Sequence, residues 1–179
     1  MVQITARLES RQIILTGFMG TGKTEVGKLL AAKLKRRFVD TDQLVKTATG
    51  LSVPLIFEKY GEGFFRERES KAVKSLDRYP PGSLVVATGG GVVLRENNRA
   101  MLKKVGLIVL LRASAEEICR RISGTGHRPL LNGPEPEQKV KKMLEEREPY
   151  YRNCDFEIDT TAKTPRQVAS EILSCLNNR

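Results

Sequence analysis

Three separated groups of residues have the types and spacing that chemistry requires. The first is Gly17-Phe18-Met19-Gly20-Thr21-Gly22-Lys23-Thr24, which fits G-x-x-x-x-G-K-[ST] at every fixed position. Glycines let such a loop turn its backbone N–H groups inward around an anion, and a helix opening near Lys23 adds the partial positive charge of its N-terminus. Gly20, Thr21 and Gly22 then cradle phosphate, Lys23 reaches the β- and γ-phosphates, and Thr24 ligates Mg²⁺ through its hydroxyl. Glu25 completes the nucleotide-binding run.

The second group is the carboxylate pair of Phe38-Val39-Asp40-Thr41-Asp42. Read as a strand end, its two carboxylates alternate, one toward the metal and one toward an adjacent pocket. Asp40 assists Mg²⁺ through a coordinated water, since this ion keeps much of its hydration. Asp42 accepts a hydrogen bond from a substrate hydroxyl, either as its base or only as its orienting group. A helix-capping role for Asp42 is a competing reading, and the two roles can coexist.

The third group combines cations with a second glycine turn, Gly89-Gly90-Gly91. Arg147 has Met143, Leu144, Tyr150 and Tyr151 at its i±3 and i±4 positions, so no helix carboxylate competes for it and it is available to an external anion. Arg66 has Glu62 four residues before it and Glu69 three after, so a solvated helix pair competes with anion binding. Arg121 follows Glu117 by four residues, the spacing of a favourable helix pair. Arg128 stands between glycines and a proline, in a loop where an idle surface charge is the bland reading.

These groups need elements to hold them. Ile13-Ile14-Leu15 reads as a buried strand entering the first loop, and Val26, Leu29, Leu30 and Leu34 recur at helical spacing after it. Arg37 to Asp42 reads as a second strand, followed by a helix from about Gln43 to Thr49 stopped by Gly50. Ser52 caps a short helix that ends at Gly61, and a charged helix runs from Phe64 to about Leu76. Leu84 to Thr88 and Leu107 to Leu111 are further buried strands. Ser114-Ala115-Glu116-Glu117 has the form of a capping box, opening a helix to about Ile122. Residues 123 to 136 hold too many glycines and prolines for regular structure and read as a mobile lid. Glu137 to Tyr151 resumes as helix, Phe156 to Asp159 is a last strand, and Thr164-Pro165 opens a C-terminal helix. Alternating strands and helices imply an α/β fold with about five largely parallel strands and helices on both faces. Ligands of such sheets sit beyond the C-terminal ends of the strands, which would bring the three groups to one rim.

Composition narrows the classes. The 179 residues fit one domain, with ordinary hydrophobic (40 %) and charged (29 %) content for a globular chain. No apolar run approaches the ~18 residues of a membrane span, and the N-terminus lacks a secretory core, so a cytoplasmic protein is expected. Cys119, Cys154 and Cys175 are odd in number and without C-x-x-C pairing, which points to reduced thiols. The lone His127 argues against histidine-based metal or triad chemistry and reads as an ordinary exposed lid residue. A net charge of +10 favours anionic partners. No N-K-x-D segment is present to read guanine, and the strand ending at Thr88-Gly89 lacks the Asp-Glu pair of many hydrolytic ATPases. Transfer to a bound acceptor is therefore favoured over hydrolysis.

Taken in order, Gly-Phe-Met-Gly-Thr-Gly-Lys-Thr, Phe-Val-Asp-Thr-Asp, Phe65-Arg66 with Glu69, Thr-Gly-Gly-Gly, Arg128-Pro129-Leu130-Leu131 and Arg147-Glu148-Pro149-Tyr150-Tyr151 resemble the shikimate kinase family over about residues 11 to 176. The resemblance implies a three-layer αβα P-loop kinase fold, as in nucleoside-monophosphate kinases. It implies one domain over 1 to 179, with substrate-binding helices at about 42 to 78 and a lid at about 123 to 136. It implies ATP-dependent phosphorylation of the 3-hydroxyl of shikimate, in the route to chorismate and aromatic amino acids, by a monomer without nucleic-acid or membrane partners. The family's substrate residues fall on Asp42, Arg66, Gly89, Gly90, Gly91 and Arg147. Its lid arginine falls on Arg128, against the transferring phosphoryl oxygens, and its adenine-stacking arginine on Arg121, with Pro165 flanking the base. Two alternatives stand beside this reading: another small-acceptor kinase, for gluconate or nucleoside monophosphates, and a basic nucleic-acid-binding NTPase. Against the second, the lysines and arginines are scattered and not interleaved with the 6 % aromatic residues.

Overall fold

Five short strands form one sheet in the order β2-β3-β1-β4-β5, every adjacent pair parallel. The computed structural model describes residues 10–123 and 136–177. The strands are β1 (Gln12–Thr16), β2 (Arg37–Asp40), β3 (Leu84–Ala87), β4 (Gly106–Arg112) and β5 (Phe156–Asp159). The helices are α1 (Lys23–Leu34), α2 (Thr41–Thr49), α3 (Val53–Ser75), α4 (Glu96–Val105), α5 (Ala115–Ser123), α6 (Pro136–Tyr151) and α7 (Pro165–Asn177).

The central strands are apolar on both faces because both faces are covered. Ile13, Leu15, Val85, Leu107, Val109 and Leu111 point to one side, where they pack with Val26 and Leu30 of α1 and Val168 and Ile172 of α7. Ile14, Leu84, Val86 and Ile108, displaced by one residue, point to the other side against Val73 of α3 and Leu102 of α4. This three-layer arrangement is the one expected from the sequence. It delivers the C-terminal ends of β1, β2 and β3 to one edge.

Several boundaries differ from expectation for local physical reasons. The second strand stops at Asp40, because the Asp40 carboxylate accepts the N–H groups of Asp42 (3.0 Å) and Gln43 (3.3 Å) and so caps α2 two residues early. Asp42 therefore lies in the first turn of a helix and does not alternate with Asp40 across a pleat; the cap is Asp40. The expected break at Gly61 is present inside α3, where φ 75° and ψ 173° interrupt the helical backbone. The box at Ser114 is half formed. Glu117 N–H donates to Ser114 Oγ at 3.1 Å, but the Glu117 carboxylate turns to Arg120 and Arg121. Helix α4 had no counterpart in the sequence reading. Only Asn98 and Leu102 of its ten residues are buried, too sparse an apolar period to reveal it.

Candidate active site

The phosphate loop closes on its own cation. Gly17, Gly20 and Gly22 take φ of 136°, 79° and 89°, and Gly22, with no side chain to cap α1, leaves the first-turn N–H groups of that helix facing the cleft. Lys23 is buried, and its ammonium donates to the carbonyls of Gly17 (2.8 Å) and Phe18 (2.7 Å), bracing the loop from inside. Thr21 Oγ1 donates to Phe18 O at 2.8 Å. Glu25 is exposed, and its side chain turns away to Lys28.

Beside the loop, Thr24 Oγ1 donates to Asp40 Oδ2 at 3.0 Å. The other Asp40 oxygen is the helix cap, so one carboxylate serves both the fold and the cleft. A hydroxyl and a carboxylate oxygen facing each other are hard donors that suit Mg²⁺. Among the described residues no cluster of three His, Cys, Asp or Glu side chains is present, so phosphate oxygens and water would complete the shell of an ion held here.

On the nucleotide side, Glu117 organises two arginines. Hydrogen bonds from Arg120, with Arg121 adding its charge, draw the Glu117 carboxyl down to about 2. Arg121 also donates to Thr160 O (2.6 Å), Thr160 Oγ1 (3.0 Å) and Gly20 O (3.2 Å). The helix pair of Arg121 with Glu117 forms, and it fixes the guanidinium between the phosphate loop and the end of β5. Arg121 and Pro165 line the same cleft of about 740 Å³ as the loop, Asp40, Asp42, Gly89 and Gly90.

The glycine turn after β3 is where the acceptor candidates meet. A Cβ on Gly89 would collide with Asp42 Oδ1, and one on Gly91 with the Arg66 guanidinium. Gly90 O accepts from Tyr151 Oη at 2.6 Å and from Arg147 Nη1 at 3.4 Å. Each glycine thus has its own functional neighbour, brought from α2, α3 or α6. The Gly89 N–H donates to Thr41 Oγ1 at 2.9 Å. Arg66 makes both expected helix pairs, to Glu62 and Glu69, each at 2.9 Å, and still lies against the turn. Arg147 sits over the Phe18 ring, 5.3 Å from its centroid, linking this side to the phosphate loop. Arg128, His127 and the lid core at 124 to 135 lie outside the described residues.

Three residues at the turn, Glu69, Thr41 and Tyr151, had no role assigned to them from the sequence. Glu69 is 1 % exposed, and burial, with Asp42 adding repulsion, raises its carboxyl to about 7 despite Arg66. Its Oε1 has no hydrogen-bond partner among the described residues. Thr41 tethers the turn, and Tyr151, whose hydroxyl burial pushes up to about 12, tethers it from α6. The available signals were Thr41 between two carboxylates and Tyr151 one helical turn beyond Arg147.

An anion loop at the C-terminal edge of a parallel sheet, with a lysine, a hydroxyl and carboxylates converging on one cleft, defines a P-loop phosphotransferase. A family profile described as shikimate kinase matches residues 19–177, and the chain belongs to that family. It is 50 % identical over 163 residues to a shikimate kinase of Caldanaerobacter subterraneus subsp. tengcongensis, covering 91 % of this chain and 94 % of that one. It is 43 % identical over 176 residues to that of Geobacter metallireducens, covering 98 % and 97 %. The solved structure of shikimate kinase from Acinetobacter baumannii in complex with shikimate superposes with a TM-score of 0.90 at 38 % identity, over 98 % of this chain and 97 % of that one.

Proposed function

We propose that this chain transfers the γ-phosphoryl group of ATP to the 3-hydroxyl of shikimate, releasing ADP and shikimate 3-phosphate. Phosphorylation of shikimate follows from the family; the division of labour among residues is our reading. The observation that carries it is the glycine turn, whose three positions each touch a group suited to an acid with several hydroxyls.

The N–H groups around Gly20, Thr21 and Gly22 and the start of α1 hold the phosphates, with Lys23 exchanging its loop carbonyls for β- and γ-oxygens. Glu25 contributes its backbone N–H. Thr24 and Asp40 are the residues that would hold Mg²⁺. When bound there, the ion screens the charge that develops on the phosphoryl oxygens. Arg121 and Pro165 flank the adenine.

Asp42 accepts the hydrogen bond of the reacting hydroxyl and aims it along the line of transfer, which needs the oxygen within about 3–3.5 Å of phosphorus. The N–H groups of Gly90 and Gly91 approach the acceptor, and Arg66 and Arg147 bind its carboxylate, for which planar guanidinium donors are matched. Arg128 neutralises the oxygens in transit. The three free cysteines fit a reducing, cytoplasmic setting. Tyr60 and Tyr150 are the large apolar side chains left exposed among the described residues, which fits a monomer that light scattering should find near 20.0 kDa.

The test is an acceptor panel with purified protein, MgATP and coupled ADP detection. Shikimate should support turnover while gluconate and nucleoside monophosphates give the background rate. Turnover on either of those, and none on shikimate, would sink the reading.

A further inference from the structure

Helix α6 carries two of the groups that meet the glycine turn, yet its hold on the rest of the protein is thin there. Of its 16 residues only Val140 and Tyr151 are buried. The apolar contacts before Arg147 join Val140, with the half-buried Met143 and Leu144, to Phe18, Ile118 and Ile122. Pro149 has no N–H, so the carbonyl of Glu145 loses its donor within the turn that holds Arg147. In the last two turns Tyr151 packs with Val93 and Leu110, and the rest of the hold is polar or cation–π.

One tie runs from Tyr151 and Arg147 to Gly90. The other is Arg112, the last residue of β4, whose Nη1 and Nη2 donate to Glu148 Oε2 and Oε1 at 2.9 and 2.6 Å. Glu157 on β5 flanks the same guanidinium, so the arginine is held to the sheet as well. Glu148 follows Arg147 by one residue, about 100° around the helix axis. The two ties therefore grip α6 from different directions.

We propose that Arg112 is a positioning residue for the acceptor side: by holding Glu148 it sets the rotation of α6 that keeps Arg147 and Tyr151 at Gly90. This rests on the reading that Arg147 binds the acceptor's carboxylate. When the acceptor draws Arg147 from the Gly90 carbonyl, the Arg112 to Glu148 pair is the tie that does not change. The Arg112 backbone carbonyl serves a different purpose, accepting the N–H and hydroxyl of Thr160 on the nucleotide side. A side-chain substitution leaves that contact in place, so the two substrates should respond differently.

The experiment compares Arg112→Gln, Glu148→Gln, the double variant and Arg147→Ala in steady-state kinetics. Each of the first two should raise the shikimate KM about five- to tenfold, with the ATP KM and kcat at saturating shikimate within about twofold. The double variant should be no worse than the worse single, since both break one contact. Additive losses, or an equal rise in both KM values that tracks a fall in Tm, would overturn the proposal. If Arg147→Ala raises the shikimate KM while Arg112→Gln and Glu148→Gln do not, this inference alone falls. If Arg147→Ala has no effect, the reading of the acceptor site falls and takes the inference with it. Should Arg112→Gln fail to fold, Glu148→Gln, which changes only charge, carries the same test.

Discussion

The donor and acceptor sides of the cleft are built by opposite strategies. The donor cradle is one continuous run, Gly17 to Thr24, whose lysine is held by carbonyls five and six residues away in the same loop. The proposed acceptor side draws Asp42, Arg66, Gly89 and Arg147 from four segments, and no two of them are sequence neighbours. The loop of the donor side uses backbone dipoles and Lys23, with Arg121 beside it. The proposed acceptor side uses side-chain charge, with Arg66 set between the exposed Glu62 and the buried Glu69. Backbone dipoles recognise phosphate in general, whereas in the proposed acceptor site charges fixed by packing would select one small acid. Generality is thus local in this chain, and selectivity is tertiary.

That contrast can be broken, and the sharpest attempt is Lys23→Ala. It should lower kcat by about a thousandfold or more while the fold and shikimate binding remain, because a cation aimed at developing phosphoryl charge is lost. Circular dichroism, coupled ADP release and shikimate titration check it. Weakened shikimate binding would mean that the two sides are not separable. Arg121→Ala should act more weakly, raising the ATP KM about tenfold with the shikimate KM little changed, since a flanking cation contributes less than one on the reacting group. A matching rise for shikimate would show that Glu117 and Thr160 transmit strain across the cleft.

The smallest effect is one of pH. Glu69 titrates near 7 in the folded protein, above the ordinary value for a glutamic acid near 4. The folded chain binds this proton more tightly than the unfolded chain does. The stabilisation is full below about pH 4 and is lost as pH rises toward about 7. Glu69→Gln should flatten that part of the Tm-against-pH profile. Parallel profiles would show that Arg66 keeps Glu69 ionised throughout.

The legible part of the molecule follows the same division. The phosphate loop, the parallel strands and the caps at Gly50 and Ser52 were readable because each signal lies within a few consecutive residues. Helix α4 was not, since its burial comes from packing on the sheet with only two inward residues. Asp42 was named correctly as a cleft residue for the wrong geometric reason: the Asp40 cap turns the chain into a helix where a pleat was expected. Arg66 shows why pairing rules alone do not decide a role, because its ion pairs and its place at Gly91 are compatible.

By itself the sequence determined the donor cradle, the alternation of elements and the inventory of acceptor groups, because backbone turns, helix starts and strand runs are encoded locally. The tertiary structure decided which of those groups meet. Strand order β2-β3-β1-β4-β5 is not chain order, and it is this order that sets β3 between β2 and β1 and so delivers the glycine turn between Asp42 and the phosphate loop. Glu69, Thr41, Tyr151 and Arg112 take their parts only there, since a buried carboxylate, a tether or a helix anchor is defined by the partner that packing supplies.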